Sequence, residues 1–260
     1  MSTAEQLLNP RHPDRPVVLT ELEGRPVIRK RYERDRANAA WADLTALWAS
    51  PFGAARRPPG LPEPLRFDPV RHEIVSAVCD GSSLHDGGTD AVRRHSGAVA
   101  DAIAALQGSA VTFARHVDTA TTMAMVARVA GDHRPQLVAA IDRARPESEP
   151  VAPAHGDLSA ANVFVHERGA TLIDFDAARM ASPGHDSAHL AAWCWVRACC
   201  REGASSDGGW AAGDAAHRDL TARMPERQPL LDETLAFHRA VELVRCARWA
   251  RRSLGDGAAS

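Results

Sequence analysis

The sequence predicts an α+β protein of two unequal lobes, a small β-containing N-lobe followed by a larger, mostly helical C-lobe. Three observations predict it. Two β-rich runs, VVLTEL and PVIRKRY, flank Glu23-Gly24 near the start of the chain, the pattern of a hairpin around a glycine-containing turn. Beyond Gly81, apolar residues recur at helical spacing. Within that helical stretch a second hairpin signal appears, NVFVH and ATLIDF separated by Glu167-Arg168-Gly169. The lobes are expected to join near Val78 to Gly81, with an N-lobe at 1–80 and a C-lobe at 81–260.

Taken in order, the first hairpin is followed by a helix over 37–49, where Leu44, Leu47 and Trp48 share a face and Pro51 follows the end. PFGAARRPPGLPEPLRFDP, rich in Pro and Gly, reads as mostly loop. HEIVSAVC at 72–79 reads as a strand ended by Asp80-Gly81. A helix over 90–107 carries Val92, Val99, Ile103 and Leu106 on one face and stops at Gly108. Two more helices are expected at 119–130 and 135–144. After Asp186 the chain is helical again, with His189, Leu190, Trp193 and Val196 on a common face. A long helix over 229–254 closes the chain, with Leu231, Leu235, Val241, Val244 and Trp249 as its buried candidates.

Composition narrows the function classes. The chain has 260 residues, a net charge of -2 and 25% charged residues, so no general polyanion-binding surface and no nucleic-acid partner are implied. The basic stretch RKRYERDR is interrupted by acids and reads as a solvated strand end. No apolar run approaches the ~20 residues that span a bilayer, and no signal-peptide core is visible. Five cysteines without a CxxC pair read as free thiols in a reducing compartment, so a cytoplasmic protein is expected. Cys199 and Cys200 are expected to be buried. Of the 31 basic residues, Lys30 alone is lysine. In so arginine-rich a chain, a retained lysine marks a position that needs a compact ammonium rather than a planar fork.

The chemistry concentrates in HGDLSAANVFV and the IDFD that follows. Asp157 sits in a loop ahead of a strand, Asn162 begins that strand and Asp174 ends its partner. Antiparallel pairing brings the start of one strand beside the end of the other, so Asn162 and Asp174 converge. A carboxylate and an amide oxygen at one point suit a hard cation, and magnesium bridging phosphate oxygens is the natural guest. Asp157 is near enough to orient a hydroxyl and accept its proton. An Asp, an Asn five residues later and a further Asp are the layout of phosphoryl transfer.

The composite of HGDL, Asn at plus five and IDFD resembles the aminoglycoside phosphotransferase and choline kinase-like family, most strongly from His155 to Leu190. The resemblance implies a protein kinase-like fold and an ATP-dependent kinase of small-molecule hydroxyls, using ATP and Mg2+. It implies that Asp157 is the catalytic base, that Asn162 and Asp174 are magnesium ligands, and that His155 supports the loop. Lys30 would contact the ATP α/β-phosphates, and the backbone from Ala77 to Cys79 would bind adenine. Asp186, in place of the family's short acidic motif, would cap the next helix and brace the catalytic loop. Asp176 assists at the metal or is structural.

The partner acid of Lys30 is open. Ala40 stands where the family's helix carries it, with Glu33, Asp35 and Asp43 as substitutes. The sixteen residues before Val17 contain no glycine, so the family's glycine-bearing first loop and first strand are expected to be reduced or missing. The alternative to an enzyme is a catalytically impaired, nucleotide-binding or scaffold member of the same fold. The acceptor is expected to be aminoglycoside-like or another hydroxylated compound, with one or two of Trp193, Trp195, Trp210 and Trp249 lining its pocket. Asp207, Asp214, Asp219, Asp232 and Glu233 are the acids that would favour a cationic one. Oligomeric state is unassigned.

Overall fold

The computed structural model describes residues 5–10, 14–54, 58–130, 134–222 and 232–254, with side chains along the last helix from 234 to 248. The N-terminal region is a sheet crossed by one long helix. Strands β1 (Gln6–Leu7), β2 (Val17–Leu22), β3 (Arg25–Arg31), β4 (Pro64–Asp68) and β5 (Glu73–Ala77) form an antiparallel sheet in the order β1-β2-β3-β5-β4. Glu23 and Gly24 both take positive φ, 53° and 77°, which gives the two-residue turn whose twist matches its flanking strands. Helix α1 (Arg34–Ala49) lies on this sheet. Ala37 packs with Tyr32 and Ile74, and Trp41 stacks on Phe67 with ring centroids 5.7 Å apart.

Two expectations gain detail here. The proline-rich stretch is not all loop, because it contains a single helical turn α2 (Pro51–Ala54) and the strand β4. β4 lies at the sheet edge, where Pro64 removes a donor that no neighbour needs. The first strand is present, although only two residues long. In the glycine-free stretch after it, the Asn9 side chain accepts from the Val17 N–H at 2.7 Å and donates to the Arg15 carbonyl at 2.8 Å.

After the short strand β6 (Ser82–Ser83) the chain becomes mostly helical. The expected helix over 90–107 is two, α3 (Gly88–Arg94) and α4 (Ser96–Gln107), broken at His95. Helices α5 (Thr119–Ala130) and α6 (Pro135–Arg143) follow. Strand β7 (Ala152–Ala154) leads into the hairpin β8 (Val163–His166) and β9 (Gly169–Leu172), and β10 (Arg179–Ala181) returns to pair with β7. Helices α7 (His185–Arg201), α8 (Ser206–Thr221) and α9 (Asp232–Leu254) complete the fold. Leu231 lies outside the described residues, as do the side chains of Asp232, Glu233 and Trp249. No described helix is long and apolar enough to cross a membrane.

The main core forms around α4. Val99, Ala100, Ile103 and Leu106 are fully buried against Val163, Ala170 and Leu172 of the hairpin and against Leu158, Leu190 and Leu220. The site hairpin is therefore anchored by its apolar face, leaving its ends to carry polar groups. A second cluster joins α5, α6 and α9 through Met123, Val126, Ile141, Phe237 and Val241.

Helix α8 has no clear signal in the sequence, because glycines at 208, 209 and 213 weaken helical propensity. Tertiary packing compensates. A Cβ at Gly213 would lie 2.8 Å from the Ala191 carbonyl oxygen and 3.2 Å from the Trp195 Cβ, so only glycine lets α8 approach α7 this closely. Gly208 is exposed, and a Cβ there meets nothing nearer than 3.4 Å. The two glycines should respond with opposite signs. Gly213→Ala should destabilise by about 1–3 kcal/mol through overpacking, whereas Gly208→Ala should be neutral or stabilise by up to about 1 kcal/mol. Urea unfolding of both variants checks this, and equal effects would reject the packing account.

Candidate active site

The site is assembled at the ends of the β8–β9 hairpin. Asn162 closes a 3-10 turn (Ala160–Asn162) one residue before β8, and Asp174 lies two residues past β9, each just outside the strand expected to hold it. The Ile173 N–H donates to the Asn162 carbonyl at 3.0 Å, so the two ends are joined as antiparallel pairing requires. Asp174 adopts the left-handed conformation at φ 63°, ψ 63°, which turns the chain sharply out of the strand. Asn162 donates its side-chain amide to the Asp157 carbonyl at 2.9 Å.

The loop carrying Asp157 is held from below. His155 is fully buried and donates from Nε2 to the Ile173 carbonyl at 2.7 Å, while its Nδ1 accepts from the Asp157 N–H at 3.4 Å. Asp186 is 1% exposed, and its carboxylate accepts from the His155 N–H at 2.7 Å and the Gly156 N–H at 2.9 Å. Asp186 thus braces the loop, but it does not cap the helix. Gly184 is the N-cap of α7, and Asp186 lies in the first turn. Gly156 takes φ +82°, and a Cβ there would collide with the Ala177 carbonyl, so the loop needs glycine at this position. Leu158 next to Asp157 is fully buried and pins the other end.

Lys30 reaches this hairpin from β3. Its Nζ lies 2.6 Å from Asp174 Oδ1 and 2.8 Å from Asp176 Oδ2, and 5.2 Å from the centroid of the Tyr32 ring. The lysine therefore pairs with the two acids of IDFD rather than with Glu33, Asp35 or Asp43 of the N-terminal region. Burial pulls the Lys30 pKa down, but the two carboxylates outweigh it and hold the ammonium above its ordinary value. Burial would raise the Asp174 carboxyl, and the Lys30 ammonium overrides that and lowers it. Arg36 and Arg115 hold the following turn through the Asp176 carbonyl, at 3.4 and 2.7 Å.

A hard divalent cation fits these residues. The ammonium of Lys30 already stands between two carboxylates as a positive charge, and the donors of Asp174, Asp176 and the Asn162 amide oxygen are all oxygen. In the Ala77 to Cys79 segment, the Ala77 N–H donates to the Glu63 carbonyl at 2.9 Å.

Two residues absent from the sequence-level site act on Asp157. His189 Nε2 lies 3.1 Å from Asp157 Oδ1, and His189 Nδ1 lies 2.7 Å from Glu242 Oε2 on α9. Glu242 is fully buried, and Arg245 approaches the same Oε2 at 3.3 Å. Burial disfavours charge on His189, but the two carboxylates outweigh it and raise its pKa to about 9. Burial would raise both acids. His189, with Arg245, holds Glu242 below the carboxylate range, and His189 does the same for Asp157. His185 itself stays neutral under desolvation, its pKa lowered to about 4. The available signal was the position of His189 three residues after Asp186 on one helical face. Glu242 offered none, since its partner is 53 residues away.

A cavity of about 880 Å³ opens beside Asp157 between the loop and helices α7 and α9. Of the tryptophans, Trp193 lines it, while Trp195 and Trp210 face a separate crevice against α8. Cys199 and Cys200, expected to be buried, are partly exposed, and Cys200 also lines the cavity.

The pH dependence of stability follows from His189. Its pKa is raised from 6.5 to about 9 in the folded state, so its contribution is complete below about pH 6.5 and is lost as pH rises through 9. The thermal midpoint should fall across that window by the equivalent of about 3 kcal/mol. In His189→Gln most of that slope should disappear, as pH-dependent calorimetry would reveal.

The chain is similar in fold to several solved proteins. It superposes on an aminoglycoside-3'-phosphotransferase of type VIII with a TM-score of 0.58 at 18% identity, covering 94% of each chain. A choline/ethanolamine kinase family protein from Mesorhizobium loti aligns with a TM-score of 0.65 at 15% identity, over 98% of this chain and 85% of that one. An aminoglycoside phosphotransferase from Streptomyces rimosus, solved with ADP and streptomycin, aligns with a TM-score of 0.60 at 15% identity, over 94% and 93% of the two chains. No curated protein sequence matches significantly. The sequence profile of the phosphotransferase enzyme family matches residues 17–220, which take in the β2–β3 hairpin, the Asp157 loop and the IDFD turn, and the chain belongs to that family.

Proposed function

We propose that this protein transfers the γ-phosphoryl group of ATP to a hydroxyl of a small molecule bound in the cavity beside Asp157. The observation that carries the proposal is the convergence of Lys30, Asp174 and Asp176 from distant parts of the chain next to the loop that presents Asp157 and Asn162. Family membership and the ADP-bound neighbour support ATP as donor.

In this reading the N-lobe, 1–80, covers the nucleotide, and the C-lobe, 81–260, carries the loop and the acceptor. The Val78 and Cys79 backbone, at the end of the Ala77 strand, reads the adenine. Lys30 supplies a compact positive charge to the phosphates. Asn162 and Asp174, with Asp176, hold Mg2+, which when bound would neutralise charge on the phosphates. Asp157 orients the acceptor hydroxyl and takes its proton. The acceptor oxygen forms a bond to the γ-phosphorus, the bond to the ADP oxygen breaks, and ADP leaves with the electron pair. His189, itself held by Glu242, positions Asp157 and stabilises its ionised form. The buried Asp186 and His155 keep the loop in place. The reducing cytoplasm is the expected compartment, in keeping with five free cysteines.

Titration of ATP with and without magnesium is the first test. Binding should require magnesium and weaken at least about tenfold in Asp174→Ala. Asp157→Ala should retain nucleotide binding yet lose phosphoryl transfer by about 100-fold or more. Normal transfer by Asp157→Ala would reject its role as base. Magnesium-dependent binding in the wild-type protein with no transfer to any acceptor would assign the chain to the nucleotide-binding, non-catalytic alternative.

A further inference from the structure

The charge of the cavity bears on what the acceptor is. His189, Trp193, Arg197 and Arg201 recur every fourth residue along α7, and all of them line the cavity. The stripe begins at Asp157, which His189 contacts, and runs towards two guanidiniums. At ~1.5 Å per residue, Arg197 lies about 12 Å along the helix from His189, and its side chain leans back towards the N-terminus. Arg245 of α9 and His85 add further basic groups to the wall. Asp157 is the sole carboxylate among the described lining residues.

These cations are not equivalent. Arg245 is balanced from behind by the buried Glu242. Arg197 is fixed rather than cancelled. Its Nε lies 3.2 Å from Glu202, which is itself tied to Thr89 at 2.6 Å, and its guanidinium sits 5.9 Å from the Trp193 ring. Such anchoring aims a guanidinium at reduced entropic cost. Arg201 is exposed and has no hydrogen bond or ion pair among the described residues. Three of the acids expected to attract a cationic acceptor are elsewhere. Asp214 pairs with Arg218 and with Arg239 at 2.8 Å, and Asp219 pairs with Arg93 at 3.7 Å. Asp207 is exposed at the start of α8, and none of the three lines the cavity.

We infer that the acceptor is an anion, a hydroxylated small molecule whose carboxylate or phosphate is held by Arg197 and Arg201 while its hydroxyl faces Asp157. The anionic group lies about 6–12 Å from the reacting hydroxyl, given the helical rise and the reach of an arginine. A polyamine sugar would meet the Arg201 guanidinium, which no described acid pairs, and like charges in a partly enclosed cavity repel strongly. This inference rests on the phosphotransferase reading for the hydroxyl, while the anion site stands on the arginines alone.

The test uses four probes that share one hydroxylated six-carbon skeleton and differ in charge: gluconate, glucose 6-phosphate, glucose and glucosamine. Each is titrated into the protein saturated with Mg-ADP, and again without nucleotide. Gluconate or glucose 6-phosphate should bind at least about tenfold more tightly than glucose, with glucosamine weakest. The stronger of the two distinguishes a carboxylate site from a phosphate site. Arg201→Glu should reverse the order of gluconate and glucosamine, and Arg201→Lys should largely restore it. The inference fails if glucose or glucosamine binds as well as the anions, or if neither anion binds at about 10 mM. Failure of Mg-ADP to bind would overturn the phosphotransferase reading instead, and the nucleotide-free titrations would still decide the anion site.

Discussion

A single buried carboxylate holds the candidate site in shape. Asp186 sits 1% exposed in the first turn of α7 and accepts both the His155 and Gly156 N–H groups. Charge-assisted hydrogen bonds of this kind are strong, and removing one partner leaves buried donors unsatisfied. With these N–H groups fixed, His155 can bond across to Ile173, Gly156 can take its positive φ, and Asp157 projects towards the cavity. Arg179 closes the arrangement from the other side, donating to the carbonyls of Ala177 at 2.8 Å and Gly156 at 3.2 Å. The loop is thus determined by backbone hydrogen bonds to a few side chains, while its apolar residues, Leu158 and Ala160, dock it onto α4.

Charge is distributed around this loop in layers. On one side Lys30 crosses from the sheet to bridge Asp174 and Asp176, the Asp174 contact joining residues 144 apart. On the other side His189 stands between Asp157 and Glu242. Each cation is bracketed by two carboxylates, and Asp174, Asp157 and Glu242 are held below the ordinary carboxylate value although burial alone would raise them. Further along α7, Arg197 has a single acidic partner in Glu202, and Arg201 has none among the described residues.

The β2–β3 hairpin, α1, α5, the β8–β9 hairpin and α7 were legible from local pattern. In each, the turn chemistry or the helical stripe agreed with the final packing, as at Glu23-Gly24 and at Leu44 and Leu47. Asp157, Asn162 and Asp174 were singled out by spacing and Lys30 as the lone lysine, and the structure brings these residues to one place. Where local pattern misled, the deciding contact was distant. β4 exists because β5 offers an edge that tolerates Pro64. Helix α8 exists because Ala191 and Trp195 lie close enough to require Gly213. The partner of Lys30 was sought on α1, yet Asp174 and Asp176 already supply two acids within hydrogen-bonding distance.

The sequence by itself determined the fold class and the short motif that marks this family. Both depend on residues close in the chain, namely turn glycines, apolar periodicity and the run from His155 to Asp176. The tertiary structure alone decided which charges meet. It placed Glu242 behind His189, set Lys30 between two acids, and left Arg201 on the cavity wall while Asp214 and Asp219 were neutralised elsewhere. The reason is physical. Coulomb interactions act between side chains in space and take their strength from burial, and neither quantity is written in the local order of residues.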